Sequence, residues 1–433
     1  MKTLIVGSGK SGLAVADYLN ARKIDYIFAS ENNIDLSKIK ENELDEKLKG
    51  INQIITSPGI KINKKTIFQI KKRNIAFFNE FEFGVSKIKN TSIAVTGTNG
   101  KTTTVSLINF LLKDYDCGCE VGGNIGIPVT SLVDKLNGEE FVVLECSSFQ
   151  LENINNFAPH ISIILNIAQD HLDRHKTMKE YIRCKYNISK FQSKNDILLL
   201  NADDEYLYNN PPKTKAKILY FSLNKKIKGV YLKNRKVIYF DGIKEKVLCV
   251  LRNIKLRGNH NLSNMLASIL AVYLITDNLN FILKLSKFEG VAHRIEFVKK
   301  IRGVEFYNDS KATNISSTLV ACVSFKCSVN LILGGSDKGL DFDELFEKIP
   351  KNIKRIAVFG EIKNKIALSI KKYNFLNYYI CDTLKECVDV LFDNSSSGEV
   401  ILLSPACASF DQFSNYEERG NVFKKIVFEL SEI

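Results

Sequence analysis

The chain has no run of about 18 consecutive apolar residues, and its longest apolar stretches are strand-sized, such as I-S-I-I-L-N-I-A at 161–168. Insertion into a membrane is not expected. A secretion leader is not expected either. The opening M-K-T-L-I-V-G-S-G-K-S-G enters directly into a strand and a glycine turn, with no room for a basic segment, an apolar stretch and a cleavage site. The ten cysteines lie singly apart from Cys117 and Cys119, without paired C-x-x-C sets and partner histidines at zinc spacing. That pattern excludes a zinc module and suits reduced thiols in a cytoplasmic protein. Low-complexity segments are missing too, and 45% hydrophobic with 25% charged residues is the balance of a folded, soluble chain. The net charge of +13 is spread along the sequence with no basic stripe of interleaved aromatics, so nucleic acid is not an expected partner. Phosphorylated small molecules suit the same charge.

At 433 residues the chain is long enough for two or three domains, each with its own core. Residues 1–89 alternate short apolar runs (Leu4–Val6, Tyr26–Phe28, Gln53–Ile55, Ile75–Phe78) with helix-like stretches, which predicts a small Rossmann-like α/β domain. A second strand–turn–helix pattern starts at Thr91, with Val105, Ile108, Leu111 and Leu112 on one helical face, and opens a domain spanning 90–286. Runs at Phe141–Leu144, Ile161–Asn166 and Ile197–Leu200 predict a mainly parallel sheet, and 216–250 reads as hairpins. From 287 to 433 a third βα alternation follows, with strands at Glu305–Tyr307, Asn330–Leu333, Arg355–Phe359 and Val400–Leu403, again Rossmann-like. The expected class is therefore α/β in three domains, the central one of P-loop ATPase type.

The strongest local signal is Gly97-Thr98-Asn99-Gly100-Lys101-Thr102-Thr103 between a strand and a helix. Successive backbone N–H groups and a helix N-terminus there can wrap a polyphosphate, Lys101 adds a point charge, and a threonine hydroxyl can reach Mg²⁺. Val95 stands where a full P-loop has glycine, so the loop is a shortened variant. Glu145 ends the apolar strand F-V-V-L and His171 follows the strand ending at Asn166, both at the carboxyl edge where α/β sheets bind ligands and where oxygen and ring nitrogen can meet metal. At the N-terminus, Gly7 to Gly12 form G-x-G-x-x-G after a strand. Ser30, followed by Glu31, occupies the position of the acidic residue that would hold a nicotinamide cofactor's ribose, which favours another diphosphate such as a UDP-sugar.

Nine motifs stand in a fixed order: G-T-N-G-K-T-T at 97, G-G-N-I-G at 122, E-C-S-S-F-Q-L-E at 145, D-H-L-D-R-H at 170, G-N-H-N-L-S-N at 258, A-H-R-I-E at 292, N-D-S-K-A-T-N at 308, G-G-S-D-K-G at 334 and L-S-P-A-C-A-S-F-D-Q-F at 403. Across essentially its whole length the chain resembles the muramyl (Mur) ligases of peptidoglycan synthesis. The last motif and the N-terminal glycine turn are similar to the D-glutamate-adding branch, and no D-N-P-R marks the diaminopimelate-adding one. Folylpolyglutamate synthases share the central and C-terminal motifs but place the phosphate loop near their own start.

The resemblance implies a monomeric, cytoplasmic ligase that uses ATP to join D-glutamate to UDP-N-acetylmuramoyl-L-alanine through an acyl phosphate. It places ATP on Gly97 to Thr103, with Asn264, Arg294 and Asp309 reaching the nucleotide. Two Mg²⁺ ions would involve Thr102, Glu145, His171 and Lys185, the last as a carbamate, with Lys101, Glu145, His171 and Lys185 as the catalytic set. D-glutamate would meet Lys311, Thr313, Lys338, Ser409 and Tyr416, because a dicarboxylate entering a cleft needs charge-assisted hydrogen bonds. The UDP part would meet Lys10, Ser11, Ser57, Gly59 and Asn124. Competing readings are another Mur or folylpolyglutamate-type ligase, an ATP-driven binding protein that makes no bond, and a nicotinamide-dependent dehydrogenase resting on Gly7 to Gly12 alone.

Overall fold

The computed structural model describes residues 2–113, 115, 117–337 and 339–430. They form three sheets. The first holds β1 (Lys2–Val6), β2 (Tyr26–Phe28), β3 (Ile51–Thr56) and β4 (Ala76–Asn79), all parallel in the order β2-β1-β3-β4. The second has nine strands: β5 (Ser92–Thr96), β6 (Cys119–Gly123), β7 (Phe141–Glu145), β8 (Ile161–Ile164), β9 (Ile197–Asn201), β10 (Lys217–Ser222), β11 (Gly229–Lys233), β12 (Lys236–Phe240) and β13 (Glu245–Val250). Their order is β13-β12-β11-β10-β9-β8-β5-β7-β6. The third holds β14 (Glu296–Ile301), β15 (Val304–Asn308), β16 (Val329–Gly334), β17 (Ile353–Phe359), β18 (Tyr378–Ile380) and β19 (Val400–Ala406), ordered β14-β15-β19-β16-β17-β18. The chain divides into two compact units, Met1–Arg252 with Ser263–Leu285 and Asn253–Leu262 with Ser286–Ile433.

Parallel strands covered on both faces read as continuous apolar runs, and β5, β8 and β16 are buried from end to end. The helix Lys101–Leu112 lays Val105, Ile108, Leu111 and Leu112 into this core, all fully buried as its periodicity predicts. Residues 216–250 depart from a simple pair of hairpins. Strands β11 to β13 form an antiparallel meander, but β10 and β11 run parallel. Asp203 explains the break. Its carboxylate accepts from Ser222 Oγ (2.7 Å) and Leu223 N (2.6 Å), which draws the chain out of the sheet before it re-enters in the same direction.

Within the first unit, the first two sheets are tied by buried acids in the segment F-N-E-F-E-F. Asn79 caps the helix Glu80–Val85 and donates to Gln150 O (2.8 Å). Glu80 Oε1 accepts from Thr130 N (2.8 Å), and Glu82 Oε1 accepts from Asn156 N (2.8 Å) and Asn155 N (3.2 Å). Removing either buried acceptor would strand backbone donors at about 1–3 kcal/mol. The half-exposed Arg22–Asp134 pair at 2.6 Å contributes little by comparison. Among the described residues no helix is long and apolar enough to cross a membrane, and all ten cysteines are free thiols.

Candidate active site

Strand β5 ends in the turn Gly97 to Gly100, and the helix starts at Lys101. Gly100 caps that helix with φ 88°, a left-handed conformation, and an added Cβ would come within 2.5 Å of Asn264 Oδ1. Glycine is required on both counts. The turn is pinned from β8's exit: Thr98 N donates to Asn166 O (3.1 Å), Asn99 N to Asn166 Oδ1 (2.8 Å), and Asn166 Nδ2 returns a bond to Asn99 O (3.0 Å). Thr98 Oγ1 lies 3.0 Å from Tyr181 OH and donates to Ala168 O at 3.1 Å.

Two lysines converge on one carbonyl of this turn. Lys101 Nζ donates to Gly97 O and Thr98 O, each at 2.8 Å, and Lys185 Nζ donates to Gly97 O at 2.8 Å. Lys185 is 2% exposed on the helix Met178–Tyr186. Burial, reinforced by the charge of Lys101, pushes its amine well below the ordinary lysine range. An amine whose protonation is opposed by burial therefore stands at the Gly97 carbonyl of this turn. On the neighbouring strand, β7 ends at the buried Glu145, whose Oε1 accepts from Asn124 Nδ2 (2.8 Å) while Oε2 has no partner. Thr103 Oγ1 is likewise buried and unpartnered. His171, with φ 52°, is exposed; its Nε2 lies 3.5 Å from Asp170 Oδ2 and its ring 4.9 Å from that of Phe149.

These donors fit a divalent cation in chemistry. Among the described residues no three of His, Cys, Asp and Glu converge as a ready-made metal cluster. The set instead offers an unsatisfied carboxylate oxygen, helix-terminal hydroxyls and an amine able to become an anionic oxygen group.

At the first sheet, β1 leads into Gly7 and the helix Lys10–Ala21. A Cβ on Gly12 would fall 1.8 Å from Gly7 O, so helix and strand approach closely only because Gly12 has no side chain. Lys10 and Gly59 are exposed, and Ser11 and Ser57 are half-buried. Ser57 Oγ has no partner. Arg174, which the sequence reading left out although it lies in D-H-L-D-R-H, donates to Gly59 O (3.1 Å) and Ile60 O (3.3 Å) and pairs with Glu152 at 2.8 Å. Asn124, expected to reach the UDP part from the central domain, donates to Glu145 Oε1 at 2.8 Å.

In the second unit, Asp309 directly follows β15. Its Oδ2 accepts from Ser404 Oγ (2.7 Å) and its Oδ1 from Ile295 N (3.2 Å). Burial pushes its carboxyl up to about 7, against the opposing pull of the Ser404 bond and the Arg294 charge. Arg294 is half-buried with an unpartnered Nε. Lys311 Nζ sits 5.3 Å above the Tyr416 ring, Thr313 is half-buried and Ser409 is buried. Lys338 lies outside the described residues. The organising group is one that sequence reasoning missed. Arg419, fully buried, donates to Ser310 Oγ (2.9 Å), Ser310 O (2.8 Å), Cys407 O (3.0 Å) and Ala408 O (3.2 Å), locking N-D-S-K-A-T-N against the loop of Ser409. Burial lowers its guanidinium to about 10.

Residues 95–272 match the Mur ligase middle domain and 293–407 the Mur ligase glutamate ligase domain. The chain is 36% identical to a UDP-N-acetylmuramoylalanine--D-glutamate ligase of Lachnoclostridium phytofermentans, over 100% of this chain and 98% of that one. The chain belongs to the Mur ligase family. A Thermoanaerobacter protein of the same description is 38% identical, over 99% of this Mur ligase and 98% of its own length. Among solved structures, the UDP-N-acetylmuramate-alanine ligase of Thermotoga maritima aligns at TM-score 0.61 with 20% identity, covering 99% of this chain and 100% of that one. A MurF ligase of the same organism in complex with ADP aligns at 0.57 with 19% identity, covering 90% and 92%. The folylpolyglutamate synthase of Mycobacterium tuberculosis, complexed with ADP, aligns at 0.58 with 13% identity but covers 78% of this chain. The expected three-domain α/β architecture is thus that of the family, and this Mur ligase is an ATP-dependent ligase of peptidoglycan synthesis.

Proposed function

We propose that this Mur ligase forms the amide bond between the terminal carboxyl of UDP-N-acetylmuramoyl-L-alanine and the amine of D-glutamate. The observation that carries the ATP half of the reading is the meeting of Lys101 and Lys185 at the Gly97 carbonyl, beside the unsatisfied carboxylate of Glu145. The choice of D-glutamate is supported by the full-length likeness to enzymes described as D-glutamate ligases.

The turn Gly97 to Thr103 would hold the triphosphate with its backbone N–H groups and helix terminus. Lys101 would leave the carbonyls of Gly97 and Thr98 for the phosphate oxygens, stabilising charge as the terminal phosphoryl passes to the substrate carboxylate. Asn264 would border the nucleotide at Gly100, and Arg294 and Asp309 are further candidates for binding it. Thr102, Glu145, His171 and Lys185 would hold two magnesium ions, which would screen the repulsion between phosphate and carboxylate. Asn124 would orient Glu145. Lys185, whose protonation is opposed by burial, would add to CO₂ by forming an N–C bond and releasing a proton, giving a carbamate.

Lys311, Lys338, Thr313, Ser409 and Tyr416 would bind D-glutamate, with Arg419 setting the loop that carries Ser409. The amine of D-glutamate would attack the acyl phosphate and expel phosphate. Lys10, Ser11, Ser57 and Gly59, with Asn124 reaching in from the central sheet, would bind the UDP part. The protein is read as a cytoplasmic monomer. The test is phosphate release with ATP and UDP-N-acetylmuramoyl-L-alanine, offering D-glutamate, L-alanine, L-lysine or diaminopimelate. Release stimulated by D-glutamate is expected; release stimulated by another acceptor alone moves the activity to a sister ligase, and release independent of any acceptor removes ligation.

A further inference from the structure

The turn Ser57–Ile60 closes on itself. Ser57 N donates to Val6 O (2.8 Å) and Ile60 N to Ser57 O (3.0 Å), and a Cβ on Gly7 would come within 2.5 Å of Ser57 Oγ, so this turn packs directly on the first glycine turn. Its shape is set without help from the central sheet, yet a tie from that sheet reaches it. Arg174 Nη1 donates to Gly59 O (3.1 Å), and Nη2 donates both to Ile60 O (3.3 Å) and to Glu152 Oε2 (2.8 Å). A planar guanidinium can hold two carbonyls and a carboxylate in one fork, which a lysine ammonium cannot. The Arg174 side chain is 12% exposed and that of Glu152 20%, so this bridge is sheltered from the solvent that weakens the neighbouring Lys64–Glu180 pair, 69% and 41% exposed.

The same short segment carries His171. Arg174 N and His175 N donate to His171 O at 3.2 and 3.0 Å, closing the one-turn helix Leu172–His175 between His171 at φ 52° and Lys176 at φ 64°. The Phe149 ring, from the motif that begins at Glu145, lies 5.4 Å from the Arg174 guanidinium carbon and 4.9 Å from the His171 ring. A displacement of Arg174 is thus passed to His171. The first two sheets are joined independently through Glu80 and Glu82, so the fold does not depend on the Arg174 bridge.

We propose that Arg174 is a positioning residue of the ligation reaction: it sets the register between the turn Ser57–Ile60 and the segment of His171, so that a substrate anchored by its UDP end presents its carboxyl end where phosphoryl transfer takes place. This role rests on the function proposed above, which puts the UDP part on the turn of Ser57 and Gly59 and His171 at the reacting end. A ligand whose two ends are held by separate turns binds as linked pieces, and the gain from linkage is lost when the span between the turns no longer matches the ligand.

Calorimetry with UDP alone and with UDP-N-acetylmuramoyl-L-alanine, on the full-length wild type, Arg174→Gln and Arg174→Lys, separates register from local support of the turn. UDP would occupy the first turn only, and its affinity should stay within about threefold in both variants. The full substrate should bind the wild type more tightly than UDP does, and that advantage should shrink about tenfold or more in Arg174→Gln. Phosphate release dependent on D-glutamate should lose at least about tenfold in kcat at saturating substrate, and Arg174→Lys should not restore it, because the fork is missing. Glu152→Gln leaves both carbonyl bonds but removes the anchoring charge; it should reproduce the pattern at smaller amplitude and carries the test if Arg174→Gln does not fold. Equal losses for UDP and for the full substrate would make Arg174 a local support of the turn, and variants with wild-type affinity and kcat would leave it no part in the reaction; either result overturns the proposal. A wild type without D-glutamate-dependent phosphate release would overturn the proposed function and this role with it, and is seen before any variant is compared.

Discussion

The two glycine turns of the first unit share one local grammar, an apolar strand, a tight glycine bend and a helix, yet they are equipped for different work. Behind Gly97 to Thr103 stand Lys185 and Glu145, each 2% exposed, and the turn is stitched to Asn166 by three hydrogen bonds. Around Gly7 to Gly12 no described lysine is buried, and the buried carboxylate that reaches this turn, Glu80, bonds Ser11 and Thr130 and is not left unsatisfied. Lys10 is solvated, and the nearby Ser57 hydroxyl is neutral. Glycine conformation shapes both bends. A buried lysine and a carboxylate oxygen without a partner distinguish the turn proposed for phosphoryl transfer from the one proposed for the UDP part.

Matched substitutions test that distinction. Lys101→Ala should lower kcat at least ~100-fold, as expected for loss of one preorganised electrostatic group. Lys10→Ala at the other turn should leave kcat unchanged and raise KM for the UDP substrate by no more than about threefold. Steady-state kinetics on both variants decides it, and similar losses from the two would erase the contrast.

Lys185 offers the next largest effect. Lys185→Met should cost at least about tenfold in kcat, and stripping CO₂ from the wild type should lower activity that bicarbonate restores. Isotope-labelled bicarbonate should give a carbamate signal that the variant lacks. The unmodified amine also carries a pH signature. Its folded-state pKa lies below the ordinary value of about 10.4, so between the two the unfolded chain binds more protons and stability rises with pH. Urea titrations in CO₂-free buffer should show that rise in the wild type and a flatter profile in Lys185→Met.

A smaller, purely structural effect belongs to the first turn. Gly12→Ala places a methyl 1.8 Å from Gly7 O and should destabilise the protein by about 1–3 kcal/mol, seen as a lowered Tm.

Much of this was legible in the sequence. The apolar runs located most strands of the three sheets, because strands buried on both faces must be continuously apolar, and the ordered motifs located the family. Two strands of the third sheet were not legible. In β14, E-F-V-K-K-I is only partly buried and charged, and β18 is three residues at a sheet edge. Glu80 and Glu82 read as surface acids at a helix start, but their acceptors are spent on backbone 50 to 74 residues away. Arg419 sits in Y-E-E-R-G-N, which reads as an exposed helix; its bonds reach residues 109 and 12 positions distant, and no local pattern encodes them. Side chains that satisfy a remote loop leave no periodic trace.

The most direct test of the central claim is a crystal structure with a non-hydrolysable ATP analogue and Mg²⁺. The triphosphate should lie on Gly97 to Thr103, with Lys101 Nζ moved from the Gly97 and Thr98 carbonyls onto phosphate oxygens. A nucleotide seated on Gly7 to Gly12, or a triphosphate held elsewhere while Lys101 keeps its two carbonyl bonds, would contradict the account.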